Sequence, residues 1–224
     1  RQRQMCIRDS VSPRVQNRNL PYTPVAPSDT MQNEPDTDFD LSQNQEWVRR
    51  IFAKWKKSGT EEPEIIPLQI GAETVVCKNR YKYLDRCQND EVCICEMSQA
   101  DSAQVEKIIE IAETDPAGWR KTTLEERHRI MYEAANRLAD MRGDLIGYMC
   151  AVTGKTVIEG DVEVSEAVDY ARFYTTAMKK FAALDDIEIK PKGTILVISP
   201  WNFPCAIPVG GIAVSYTHLT LPTI

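Results

Sequence analysis

The spacing of apolar residues changes several times along the chain, and each change predicts a different element. Between residues 41 and 57, Trp47, Val48, Ile51, Phe52 and Trp55 recur at steps of three and four. That spacing gathers them on one face of a helix, which Gly59 is placed to close. From 65 to 97 the runs IIPLQIG, ETVVCKNRYKYL and EVCICEM are short and rich in β-branched and aromatic residues. Polar turns separate them, so they predict strands. Asp101 with Gln104 then forms a capping-box pattern ahead of a stripe of Val105, Ile108, Ile109 and Ala112, which Pro116 and Gly118 interrupt. Thr123 and Glu126 form a second box, opening a helix with Ile130, Met131, Ala134, Ala135 and Leu138 facing inward. Gly143 is expected to end that helix and Asp144 to cap the next. A long helix is predicted from about Gly160 to Ala183, with Val164, Ala167, Val168, Ala171, Phe173 and Tyr174 on or near one face. Residues 187–190 suit a short strand, and Lys192-Gly193 a turn. The continuous apolar run TILVIS at 194–199 predicts a strand buried on both faces of a parallel sheet, stopped by Pro200.

Outside these periods the chain reads differently. Residues 11–40 are polar, carry Pro13, Pro21, Pro24, Pro27 and Pro35, and have no apolar period. They predict an extended linker over a surface. Residues 1–10 and 215–224 lack any pattern and are expected to be non-native. That leaves 11–60 as linker and helix, and 61–214 as the folded unit.

Composition narrows the class. Of 224 residues, 42% are hydrophobic and 27% charged, which fits a soluble protein with a core and excludes a disordered chain. The net charge of -6 gives no electrostatic reason to expect nucleic acid. The longest apolar run, 207–214, is broken by Pro208 and two glycines and is far shorter than the roughly 20 residues of a membrane span. Seven cysteines, an odd number at irregular spacing, suit reduced thiols and a cytoplasmic location better than a disulfide framework. Cys93 and Cys95 have no second pair, and only His128 and His218 offer imidazole, so no metal site is predicted.

The stretch 193–214, GTILVISPWNFPCAIPVGGIAV, is where chemistry is expected. Ligand sites in parallel α/β sheets lie beyond the carboxyl ends of strands. A proline-stiffened loop there would hold the amide of Asn202 in a fixed direction, suited to stabilising an oxyanion.

SPWNFP after an apolar strand resembles the signature loop of the aldehyde dehydrogenase superfamily. Trp119, Glu126-Arg127, the helix through Ala134-Ala135 and Leu138, Thr153-Gly154-Lys155 and Glu163-Val164 resemble the same family in the same order. The resemblance covers roughly 66–214. NEPDTDF at 33–39, preceded by RVQNR at 14–18, resembles the connector ahead of the dehydrogenase module in the bifunctional proline utilisation A family.

The resemblance implies the incomplete N-terminal part of a Rossmann-like NAD-binding domain, α/β in class, preceded by an extended linker. It implies oxidation of L-glutamate γ-semialdehyde to glutamate with NAD. FAD would belong only to an upstream proline dehydrogenase part that is absent here. In the family a cysteine thiolate attacks the aldehyde, hydride passes to the nicotinamide, and a glutamate-activated water releases the acid. Asn202 matches the oxyanion donor. Ile198, Ser199, Pro200 and Trp201 match the cofactor wall, and Phe203 a position beside the aldehyde tunnel. Glu166, one turn before Tyr170, is placed to meet the substrate's α-amino group. Cys205 is expected to pack behind the loop rather than to serve as nucleophile, and the charged run Glu125 to Arg129 to form a solvated helix face, with Glu125 and Arg129 at an i,i+4 spacing. The family's ribose-binding lysine, glycine-rich turn, general base and nucleophile have no match here, so the isolated chain is expected to be inactive. The parent enzyme would take a small aldehyde and assemble as a homo-oligomer. Two other readings stay open: a general NAD(P)-dependent aldehyde dehydrogenase, and a non-enzymatic interaction module.

Overall fold

In the computed structural model, residues 15–56, 62–88, 92–185 and 192–219 are described, with residues 218 and 219 described by their backbone alone. Three capping boxes set the helical framework. Asp101 and Gln104 exchange side chain and backbone at the start of α2, Ser102–Thr114. Thr123 and Glu126 do the same for α3, Leu124–Asp140, and Thr156 and Glu159 for α5, Val157–Ala182. Each box satisfies N–H groups that the first helical turn leaves without partners. The third box moves the start of the long helix three residues upstream of Gly160. Asp115, in the left-handed region at φ 47°, ends α2 ahead of Pro116.

The expected stop at Gly143 is corrected. Helix α3 ends at Asp140, and α4, Arg142–Thr153, begins at once with Met141 as the shared cap. Asp144 is not a cap either; its carboxylate accepts from Lys54 at 2.5 Å and from Trp55 Nε1 at 3.3 Å. Both partners belong to α1, Ser42–Trp55. Gly143 and Gly147 lie one turn apart on α4 and open a groove for this helix. A Cβ on Gly143 would sit 3.4 Å from Trp47, and one on Gly147 would sit 2.1 Å from Trp55 Cδ1. The glycines serve close packing, not termination. Gly147→Val should therefore cost about 1–3 kcal/mol through overpacking. Urea unfolding measures this, and an unchanged midpoint would mean that α1 does not depend on the groove. Residue 59 lies outside the described residues.

Helix α5 is the centre of the core. Its Val164, Ala167, Val168 and Ala171 are buried against Ala135 of α3, Ile146 of α4, and Ala206 and Ala213 of α6, Ala206–Val214. Small side chains let these helices approach closely. The expected faces are partly wetter than predicted. Phe173 is exposed, and of the α2 stripe only Ala112 is buried, while Val105 and Ile109 stay exposed.

The strands form as predicted but stay short. β1 (Glu64–Ile66), β5 (Cys93–Ser98) and β4 (Arg80–Leu84) make one mixed sheet in that order, parallel between β1 and β5 and antiparallel between β5 and β4. β2 (Leu68–Ile70) and β3 (Glu73–Val75) form a hairpin that turns at Gly71, φ 60°. The architecture is thus mixed α/β. Residues 194–199 follow the expected turn at Gly193, φ 90°, and run extended. They are not buried on both faces as predicted, since Leu196 is 67% and Ile198 83% exposed. A continuous apolar strand is buried only by strands on either side, and this run shows no more than a single β-bridge, at Ile195. Residues 187–190 lie outside the described residues. No described helix is long and apolar enough to cross a membrane.

Residues 15–40 form no helix or strand and cross α3 and α5 through several turns and bends, more firmly held than a spacer. Thr37 donates its N–H and hydroxyl to the Asp161 carboxylate, both at 2.6 Å. Glu34 pairs with Arg172 at 3.2 Å and Arg142 at 3.4 Å. Asn33 and the Glu34 N–H reach Asp169. Asn136 binds both the N–H and the carbonyl of Val25, each at 2.9 Å. Burial, reinforced by the nearby Arg142 charge, pulls the Arg18 guanidinium below its usual range, while Glu34 and Asp161 oppose that shift. The strap is therefore docked chiefly by buried ionic and amide contacts, with the Tyr22 ring packed against the core as well.

Candidate active-site loop

The loop at 200–205 sits between the extended run and α6. Pro200 and Pro204 stiffen it. Cys205 offers α6 no side-chain cap. Glu163 of α5 supplies one instead: a single carboxylate oxygen accepts from the N–H of Cys205 at 2.7 Å and of Ala206 at 3.1 Å. An anion at this end also suits the helix dipole. Lys155 pairs with Glu163 and places its Nζ 4.0 Å from the centroid of the Phe203 ring. Both charged side chains are largely buried, at 13% and 1% exposed. From the other side, a Cβ on Gly211 would sit 2.7 Å from Val197, so α6 lies directly on the extended run.

The predicted residues fall into three groups. Trp201, Asn202 and Phe203 project from the fixed loop, with Trp201 78% exposed and Asn202 exposed. Ile198, Ser199 and Pro200 lead into it, Ile198 bare and Ser199 half-buried. Glu166 stands apart on α5, where its Oε1 accepts from the Tyr170 hydroxyl at 2.9 Å. That bond, with burial, raises the Tyr170 phenol above its ordinary value. Tyr170 in turn packs on Gly210 of α6, where a Cβ would approach within 3.0 Å. Cys205 packs behind the loop as expected. It is buried, and desolvation beside Glu163 pushes its thiol up to about 12, so it is no nucleophile near neutral pH. The run Glu125 to Arg129 is not the solvated face expected: Arg127 and His128 turn inward and are buried, while Arg129 faces Glu133 and Glu125 faces Lys179 across to α5.

Glu163 and Lys155 are site-shaping residues that sequence reasoning did not single out. The signal was present, because Glu163 lies one helical turn from both Gly160 and Ala167 and next to Val164, a charge among the small and apolar residues of α5. No group of three His, Cys, Asp or Glu residues that would hold a metal ion occurs among the described residues.

A turn after an apolar run thus carries the exposed Asn202 just ahead of a helix N-terminus. The chain belongs to the aldehyde dehydrogenase family, whose model matches residues 77–217. It is similar to a 1-pyrroline-5-carboxylate dehydrogenase of Geobacillus sp. (strain WCH70), 31% identical over 189 residues, which cover 80% of this chain and 36% of that protein. The protein of the same name from Geobacillus kaustophilus is 28% identical over 188 residues, with the same coverage. Among solved structures, a 1-pyrroline-5-carboxylate dehydrogenase from Thermus with bound NAD superposes with a TM-score of 0.77 at 25% identity, over 87% of this chain and 39% of that one. Proline utilization A from Bdellovibrio bacteriovorus shares the fold at a TM-score of 0.76 and 23% identity, over 88% of this chain and 21% of that one. The chain thus spans little more than a third of the length of the curated relatives it matches. The family match extends to residue 217, and Ser215 and Thr217 are buried, with the Tyr216 ring 4.8 Å from that of Trp119.

Proposed function

We propose that this chain is part of an NAD-dependent L-glutamate γ-semialdehyde dehydrogenase, which oxidises the semialdehyde to glutamate in proline catabolism. The observation that carries the reading is the outward Asn202 amide on a loop pinned to α5, in a chain whose curated relatives bear the pyrroline-5-carboxylate dehydrogenase name. Asn202 would donate its amide N–H to the aldehyde oxygen as negative charge develops there. Phe203 would wall the aldehyde. Glu166, oriented by Tyr170, would meet the substrate's ammonium group.

The residues present fit one side of a nicotinamide dinucleotide. Bare Ile198 and Trp201 offer apolar surface to a flat ring, and the tight approach of Gly211 to Val197 keeps the run close to α6. Ser199 and Pro200 would contribute backbone contact. The cofactor, when bound, accepts a hydride; the residues here would orient it and exclude water. The sheet around the run, Rossmann-like in this reading, would be completed by strands beyond those described.

The test is the polypeptide encoded by the complete reading frame that contains residues 77–217, followed by NADH formation. Kcat/KM should favour L-glutamate γ-semialdehyde over propanal by about a hundredfold or more, since a site built to pair polar groups discriminates strongly against substrates lacking them. Equal rates would indicate a general aldehyde dehydrogenase. Absence of turnover with any aldehyde would indicate an interaction module.

A further inference from the structure

We propose that Glu163, backed by Lys155, is a positioning residue that sets the height of the Asn202 loop over α5. The inference rests on Asn202 being the oxyanion donor. Three observations carry it. First, α6 starts without a cap of its own, and both N–H groups at its start end on one oxygen of Glu163. Second, Glu163 is buried at 2% exposed, and its other oxygen is taken by Lys155. Third, the same Lys155 ammonium lies against the Phe203 ring, immediately after Asn202.

The pair therefore grips the loop at two points, backbone at 205–206 and ring at 203, on either side of Pro204. Asn202 lies one residue beyond the upper grip. The loop makes few other contacts, since Trp201 and Asn202 are exposed. A carboxylate on the rigid helix α5 thus decides where the amide points, although it does not touch substrate. Lys155 has a second effect: its charge neutralises Glu163, so no net negative charge is buried under a site where an oxyanion forms.

The experiment uses the complete dehydrogenase polypeptide and whichever aldehyde it turns over. Two charge-neutral double variants are compared. Lys155→Met with Glu163→Gln keeps a carbonyl acceptor for the two N–H groups. Lys155→Met with Glu163→Met removes it at similar side-chain volume. Rates are expressed per folded molecule, because losing an acceptor for buried N–H groups also lowers stability. The Met/Gln variant, which gives up the ring grip but keeps the backbone grip, should lose far less kcat than the Met/Met variant. The Met/Met variant should lose about a hundredfold in kcat while KM for NAD moves less than about threefold, as a misplacement of about 1 Å would give. Its amides at 205 and 206 should also lose protection from hydrogen exchange. Equal kcat in the two variants, or parallel losses in kcat and NAD affinity, would overturn the proposal. If the polypeptide oxidises no aldehyde, the functional reading has failed. The two amides then decide the positioning claim alone, and unchanged exchange in the Met/Met variant overturns it.

Discussion

Arg142→Met should destabilise the chain by about 3–5 kcal/mol, the range for removing one partner of a buried ion pair. The Arg142 side chain is 2% exposed. Its guanidinium donates to the Asp161 carboxylate at 2.8 Å, the Asp161 carbonyl at 3.0 Å and Ser165 Oγ at 3.0 Å, and it lies 3.4 Å from Glu34. Without it Glu34 keeps Arg172 and Arg18, but Asp161 loses its paired charge and keeps the neutral donors of Thr37 and only the more distant Arg18 as counter-charge. The loss would reach the strap, because Thr37 and Glu34 are its deepest anchors. Urea unfolding followed by tryptophan fluorescence checks this, with Arg137→Met as the control. Arg137 pairs with Glu133 in the open, where solvent screens the interaction, so its midpoint should stay in place. An Arg142→Met midpoint equal to the parent's would show that apolar packing, not the ionic cluster, holds the strap down.

The second large effect is expected in catalysis. Asn202→Ala in the complete polypeptide should reduce kcat by about 10²–10³, or about 2.7–4 kcal/mol, as loss of one oxyanion donor does. KM should change little, since the bond is strongest to charge that exists only in the transition state. Asn202 is exposed, so the melting temperature should not move. That separates the role from the alternative of an amide that merely fixes the turn, for which stability and kcat would fall together. A variant with parent-like kcat would remove Asn202 from the mechanism.

Locally encoded features were the most legible in sequence. The boxes at Asp101–Gln104 and Thr123–Glu126 involve residues three apart and need no tertiary partner. The apolar face of α1 is equally local, and the structure buries Ile51 from it. What failed depended on distant residues. Gly143 carries the composition of a helix stop, yet its use is to admit Trp47 from a helix nearly a hundred residues earlier in the chain. The run at 194–199 has the pattern of a buried strand, but pattern does not supply the neighbouring strands that bury it. The strap looked like a spacer because Glu34 and Thr37 are polar, and only the fold brings Arg142, Asp161 and Arg172 to them. At the site, Asn202 was legible through a loop motif, whereas Glu163 required noticing a charge among small and apolar residues.

The strap's anchoring also bears on synthesis. Thr37 must find Asp161, 124 residues later in the chain. At about 5–20 residues per second, a ribosome takes roughly 6–25 seconds to travel that distance. For that interval Thr37 lacks the carboxylate that holds it. The polar, proline-rich composition of its segment keeps that segment soluble and unable to pair as a strand while it waits. Thr37 thus leaves the ribosome well before the helix that holds it, and the polar chemistry around it suits the delay.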